Sequence, residues 1–339
     1  MRIAVAGVGR IGVMHARNLA ATPGVSEVVV QDPVPGRADE VAAQLTGAVP
    51  VTAAPDLAAA LKGADGLVVA VPTPAHAETV HTALAAGVPV LVEKPVAADL
   101  ATIREVIRAA ERTDVPVLVG FQRRFDPAIA ELKQRIASGA LGDLYCVRAT
   151  AFDAEPPSVE YVATSGGIFR DLFIHDLDCV PWLVGRDVVE VQATGSVLVD
   201  PAFAEADDVD TVSITLRFEG GVIAQLAGGR RHGGGYDNRI EAIGSAQALA
   251  AGWDARTPLT SLEAGGHDPG ENAYPGFIER YAVAYAREMA TFLEVIAGRM
   301  PNPSPVQDSL VSLVLADACE TSRRTGAPVR IDPADLRVS

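Results

Sequence analysis

Gly7, Gly9 and Gly12 follow the apolar run Ile3-Ala4-Val5-Ala6 with the spacing Gly-x-Gly-x-x-Gly. In that order the first glycine permits a tight turn, the second lets the backbone approach a pyrophosphate, and the third lets the next helix pack closely on the strand. A helix beginning near Arg10 and Ile11 then points its free N–H groups at phosphate. A second apolar run, residues 25–30, ends in Gln31-Asp32, and Asp32 falls about twenty residues past the glycines, where an acid binds the adenosine ribose hydroxyls. These residues predict a dinucleotide site. Asp32 favours NAD over NADP, because a carboxylate there repels a ribose phosphate, although Arg37 lies nearby.

The stretch from Ser165 to Asp178 carries a second set of groups. If a helix starts near residue 168, then Asp171, His175 and Asp178 stand at i, i+4 and i+7 and share one face. Oxidising a secondary alcohol removes a hydride and also the hydroxyl proton. Imidazole, with an unperturbed pKa of about 6.5, accepts that proton near neutrality. Asp171, one turn away, is placed to orient the ring and stabilise its charged form. The competing reading is a polar helix face that meets water. Lys94, in Glu93-Lys94-Pro95 after an apolar run, offers an ammonium to hydrogen-bond the reacting oxygen. Its competing reading is a surface lysine at a strand end, and Pro95 biases it towards an extended backbone.

Positioning these groups requires two kinds of layer. Short continuous apolar runs at residues 66–71, 88–92 and 115–120, separated by alanine-rich helical segments, read as parallel strands buried on both faces. Right-handed crossovers then give a doubly wound sheet with ligands at the carboxyl ends of its strands. Pro72, Thr73, Glu93, Lys94 and Gln122 all follow strand ends and so converge on the cofactor edge. From about residue 142 the apolar pattern alternates with period two, which indicates an open sheet with one buried face. The predicted fold class is α/β: an N-terminal Rossmann doubly wound parallel sheet (1–121) and a C-terminal α+β domain (122–339) with a large, open, mostly antiparallel sheet. A face left bare by helices predicts a homodimer or homotetramer through that sheet.

Composition narrows the partners. The net charge of −15 and a pI near 4.8 argue against nucleic acid and anionic membranes, which need a basic patch. No stretch approaches ~20 uninterrupted apolar residues, and Met1 leads straight into a strand, so a cytoplasmic protein acting on a small molecule is expected. Cys146, Cys179 and Cys319 lack metal-ligand spacing, and no metal is expected. His15, His81, His232 and His267 show no partner pattern and read as surface residues.

Taken together, Gly7 to Gly12, Glu93-Lys94-Pro95, residues 120–126 and Asp171 to Asp178 resemble the glucose-fructose oxidoreductase and inositol dehydrogenase family over essentially the whole chain. Residues 165–178, 235–241 and the final helical segments look most like its inositol 2-dehydrogenase branch. The resemblance implies NAD-dependent oxidation of a ring secondary alcohol to a ketone, with Lys94, Asp171 and His175 as the catalytic set and His175 as the proton acceptor. It implies further that Gln122, Arg123, Asp153, Asp178 and Tyr236 line a polyol pocket, and that His76 sits beside the cofactor. A ring with many hydroxyls needs several donors and acceptors to select one stereoisomer. The chain departs from the family where Ala149-Thr150-Ala151-Phe152 precede Asp153, at a place where inositol dehydrogenases often carry a polar or basic residue. That keeps other inositol isomers, aldoses and anhydrosugars open as substrates. A non-catalytic NAD-binding sensor is the reading from another class, and the intact Lys94, Asp171 and His175 argue against it.

Overall fold

The structure is a computed structural model that describes residues 1–45 and 47–338. It divides into two compact units, one of residues 1–125 with 283–310 and Val338, the other of residues 126–282 with 311–337. In the first unit, strands β1 (Arg2–Ala6), β2 (Glu27–Gln31), β3 (Val51–Ala53), β4 (Gly66–Val69), β5 (Val90–Glu93) and β6 (Val117–Gly120) form a six-stranded sheet in the order β3-β2-β1-β4-β5-β6. Every pairing is parallel. Helices α1 (Arg10–Ala21), α2 (Arg37–Gln44), α3 (Leu57–Leu61), α4 (His76–Ala85) and α5 (Leu100–Thr113) make the crossovers. The strand order reverses between β1 and β4, the point where a doubly wound sheet opens a crevice at its carboxyl edge. Helix α5 shows why these segments are helical. Asp99 caps it by accepting the Thr102 N–H at 2.9 Å, and Ile103, Val106, Ile107 and Ala110 recur with helical spacing on its buried face.

The second unit contains α6 (Pro127–Ala137), β7 (Leu144–Phe152), α7 (Val159–Val162), α8 (Ile168–Asp171), α9 (Ile174–Val184), β8 (Val188–Ser196), α10 (Ala202–Glu205), β9 (Thr211–Phe218), β10 (Ile223–Gly229), β11 (Asp237–Gly244), β12 (Ala248–Ala251) and α11 (Phe277–Arg280). The chain continues through α12 (Ala282–Ile296) and α13 (Val306–Thr325) to β13 (Val329–Arg330). Its seven-stranded sheet runs β12-β11-β7-β10-β9-β8-β13, with β7 and β10 parallel and the other pairs antiparallel. Buried and exposed residues alternate along β9 and β10, as the period-two pattern predicts for a sheet with one buried face.

Two features differ from the sequence reading. Residues 283–310, placed by the 121/122 boundary in the second domain, pack with the first unit. Gly66 on β4 explains the fit, because a Cβ there would meet Ile296 and Phe292 of α12 at 2.6 and 3.1 Å. The expected single helix over residues 168–178 is two helices. The Phe173 N–H reaches back to the Ile168 carbonyl and the Asp176 N–H bonds the Phe173 carbonyl, so the regular i to i+4 ladder is interrupted at Leu172-Phe173.

Candidate active site

In the first unit the glycine turn follows β1. Gly7 has φ +84°, and a Cβ on it would lie 2.6 Å from the Ala70 carbonyl oxygen at the end of β4. A Cβ on Gly12 would lie 1.9 Å from the Gly7 carbonyl oxygen. Gly9 is different: nothing lies within 4 Å of where its Cβ would be, and no side chain caps the N-terminus of α1 there. A helix start with an open glycine in front of it suits a pyrophosphate. The Asp32 carboxylate accepts the Val8 N–H at 2.9 Å and the Val34 N–H at 3.0 Å, which ties the glycine turn to the end of β2. A carboxylate offers about four lone-pair positions, so acceptor capacity remains for ribose hydroxyls. The Gln122 carbonyl oxygen Oε1, just past β6, is buried and has no hydrogen-bond partner among the described residues, which leaves an acceptor for a ligand. The turn through Gly7, Gly9 and Gly12, with Asp32 and Gln122, thus has the shape and the acceptors that suit a dinucleotide.

The other residues assigned to this edge separate into two groups. Pro72 and Thr73 lie on the loop after β4, open to solvent to different degrees, and Lys94 is half-buried just past β5. His76 is buried, with one ring nitrogen 2.8 Å from the Val71 carbonyl and the other 2.8 Å from the Pro95 carbonyl. Burial pushes its pKa below 6.5 against the pull of those two carbonyls. Its ring therefore ties the loop after β4 to the loop that carries Lys94. Glu93 turns its carboxylate to His15, with Oε1 2.6 Å from Nε2. His15 is fully buried on α1 and is not the surface residue its sequence context suggested. The signal was present: His15 falls in register with Gly12, Ala16 and Leu19 on the buried stripe of α1.

In the second unit the register of the central strands explains the cluster. Gly229 of β10 pairs with Phe152 of β7, and Asp237 of β11 pairs with the same Phe152. Asp153, Arg230 and Tyr236 therefore emerge at one end of three neighbouring strands. Gly166 and Gly167 both have positive φ, and the Ile168 N–H donates to Asp208, which starts α8. Asp171 ends that helix. Its Oδ2 accepts from Arg230 Nη1 at 2.8 Å and its Oδ1 accepts from the Tyr161 hydroxyl at 2.8 Å. Arg230 also faces Asp153 at 3.5 Å. The Arg230 side chain is 3% exposed, so its charge is balanced chiefly by these acids. Burial alone would lower its pKa, and the charges of Asp171 and Asp153 raise it instead.

His175 is half-buried in the first turn of α9, with the buried Asp178 one turn further on. Tyr236 is 5% exposed and Arg123, in the first unit, 1% exposed. Sequence reasoning passed over Arg230 and Tyr161, since nothing local in Gly229-Arg230-Arg231 or Glu160-Tyr161 marks them as partners of Asp171. A cleft of about 290 Å³ in this unit is lined by Glu155, His232, Gly235 and Tyr274. It lies on the surface beside the strand ends, and none of the candidate catalytic groups lines it.

Residues 1–121 match the oxidoreductase family with an NAD-binding Rossmann fold, and residues 129–250 match the GFO/IDH/MocA C-terminal domain. The chain belongs to the GFO/IDH/MocA oxidoreductase family. This NAD-dependent oxidoreductase is 38% identical to a myo-inositol dehydrogenase of Streptomyces leeuwenhoekii, over 96% of its own chain and 98% of that protein. It is 33% identical to the myo-inositol 2-dehydrogenase of Thermotoga maritima, over 98% and 99% of the two chains. The crystal structure of a myo-inositol dehydrogenase from Corynebacterium glutamicum superposes with a TM-score of 0.88 at 36% identity, covering 98% of this chain and 99% of that one. The NAD cofactor, the α/β class and the dehydrogenase activity expected from the sequence are in agreement with these matches. Among the described residues no helix is long and apolar enough to cross a membrane.

Proposed function

We propose that this oxidoreductase oxidises a secondary hydroxyl of a cyclic polyol to a ketone, with myo-inositol to 2-keto-inositol as the reaction. The observation that carries the reading is the fixed Asp171: a carboxylate bonded on both oxygens, by a buried arginine and a tyrosine, directly before the helix that bears His175. This is combined with near full-length similarity to myo-inositol dehydrogenases. When bound, NAD supplies the hydride acceptor.

His175 takes the hydroxyl proton, since its side chain is the one in the set able to accept it near neutrality. Lys94 donates a hydrogen bond to the reacting oxygen and stabilises the developing alkoxide. Asp171 stabilises the imidazolium that His175 becomes. Gln122, Arg123, Asp153, Asp178 and Tyr236 supply donors and acceptors for the remaining hydroxyls. The open face of the second sheet is the proposed contact in a homodimer or homotetramer, and the cytoplasm the proposed compartment.

The test is reduced-nicotinamide absorbance with purified protein, NAD or NADP, and a panel of inositol isomers, aldoses and anhydrosugars. Preferred turnover of myo-inositol with NAD is expected. Turnover confined to an aldose or anhydrosugar would discard the inositol pocket while keeping the chemistry. Tight NAD binding with no turnover across the panel would favour a sensor.

A further inference from the structure

A group of ionisable side chains that the reaction does not use is buried behind the β5 loop. His15 from α1, Glu93 from β5 and Glu288 from α12 each bring one nitrogen or oxygen within 4.8 Å of the others. His15 and Glu288 are 0% exposed and the Glu93 side chain is 14% exposed. Gly120 on the neighbouring strand makes the space, since a Cβ there would lie 3.2 Å from the Glu93 carboxylate. His15 is packed edge-on by Tyr285, at 5.8 Å between ring centres.

The two acids are not equivalent. Glu93 has partners: His15 Nε2 at 2.6 Å, and the Lys94 N–H at 3.3 Å from its other oxygen. Glu288 has none, as neither of its oxygens has a hydrogen-bond partner among the described residues. Two carboxylates this close, largely buried and with a single imidazole to balance them, cannot both carry charge. The one with donors ionises, and the one without stays protonated. The remaining charged or titratable groups acting on Glu93 are Lys94 and His76, and both favour its anion; Glu93 itself is the group acting on Glu288. Burial would raise the Glu93 pKa, but the His15 hydrogen bond and charge outweigh it and hold it below 4.5. Burial and the Glu93 charge push Glu288 well above 4.5.

We propose that Glu288 is a positioning residue: an uncharged carboxylic acid, kept protonated at neutral pH, that holds Glu93 as the single buried anion directly behind Lys94. The neutral acid fills the buried space beside Glu93 without adding a second negative charge, so the Glu93 carboxylate stays on His15 and on the Lys94 backbone. The catalytic consequence rests on the reading that Lys94 belongs to the catalytic set. The protonation state does not.

The test uses the full-length protein and three variants. Infrared difference spectra at neutral pH, in water and in deuterium oxide, should contain an isotope-sensitive carbonyl band of a protonated carboxylic acid. Glu288→Gln should remove that band and keep kcat within about twofold, because the amide is also neutral and of nearly the same size. Glu288→Ala should lower kcat about tenfold while leaving the KM for NAD nearly unchanged, and Glu93→Gln should retain the Glu288 band.

Absence of the band in the wild-type protein overturns the proposal. So does a stoichiometric divalent cation in the purified protein that Glu288→Gln loses, since a cation would let both acids ionise. If the band is present but Glu288→Ala leaves kcat and its pH profile unchanged, the positioning role is overturned while the protonation stands. A protein that turns over no polyol would refute the proposed substrate, yet the band would still decide the state of Glu288.

Discussion

Replacing Arg230 tests whether a residue with no sequence signature holds Asp171, the carboxylate proposed for the catalytic set. The guanidinium is 2.8 Å from Asp171 and 3.5 Å from Asp153, and its side chain is 3% exposed. Arg230→Gln keeps much of the volume but removes the charge, so two carboxylates lose their common cation. Removing one member of a buried ion pair costs about 3–5 kcal/mol. Here the Asp171 and Asp153 side chains are 13% and 23% exposed, so water takes up part of the uncompensated charge and the lower end applies. A loss of about 3 kcal/mol corresponds to a melting temperature lower by roughly 6–12 °C. The carboxylate would then lose its buried cation while keeping the Tyr161 hydroxyl, and kcat should fall about tenfold or more with a smaller change in the KM for NAD. Arg230→Lys should recover part of the stability and of the turnover, because both acids meet a single guanidinium nitrogen, Nη1, whose charge an ammonium can supply in its place. Calorimetry and steady-state kinetics on the three proteins measure both effects. Unchanged melting temperature and unchanged kcat in Arg230→Gln would refute the claim that this pair orders the site.

His175→Ala should reduce turnover by roughly two to four orders of magnitude while leaving NAD binding nearly intact, measured by single-turnover kinetics and by titration of cofactor fluorescence. Asp32→Ala should weaken NAD selectively and shrink its preference over NADP; an unchanged ratio removes Asp32 from cofactor choice. Gly12→Ala forces a methyl to within 1.9 Å of the Gly7 carbonyl oxygen, and backbone cannot yield there as a flexible side chain would, so the variant should lose NAD affinity and unfold at lower temperature. His76 predicts an acid-side effect with a definite sign. Its folded pKa is depressed below 6.5, so as pH falls through 6.5 the unfolded chain takes up a proton that the folded chain refuses, and stability declines. Denaturant unfolding between pH 7.5 and 5 should be steeper with pH for the wild type than for His76→Gln, and parallel curves would contradict the assignment.

Where a function depends on local pattern, it was legible in the sequence. The glycine turn, Asp32 at the end of β2, and the period-two strands of the second unit are all short-range statements, because strand sterics and turn geometry are fixed by adjacent residues. The proposed site in the second unit was only half legible. Asp171 and His175 could be named from their spacing, but the continuous helix that justified the spacing is broken at Leu172-Phe173, where two buried aromatic and aliphatic side chains take the core positions and the hydrogen-bond ladder widens. Both ends of α8 are anchored independently of that ladder, by Asp208 at its start and by Arg230 at its last residue.

Pairings across the chain were not legible, and the reason differs between cases. Arg230 meets Asp153 because β10 and β7 are parallel and in register at Gly229 and Phe152, a fact of topology that no window of sequence contains. His15 is instead a case where a local signal existed and was outweighed by residue type, and Glu288 carries the same signal. Both occupy the apolar stripes of their helices, His15 beside Ala16 and Leu19, and Glu288 beside Ala284, Tyr285, Met289 and Phe292. A polar residue is usually assigned to the wet face, and the stripe is then read as interrupted. A titratable residue on the buried stripe of an amphipathic helix must have a partner or give up its charge. His15 found Glu93 as its partner, and Glu288, by the same rule, is the residue that gives up its charge.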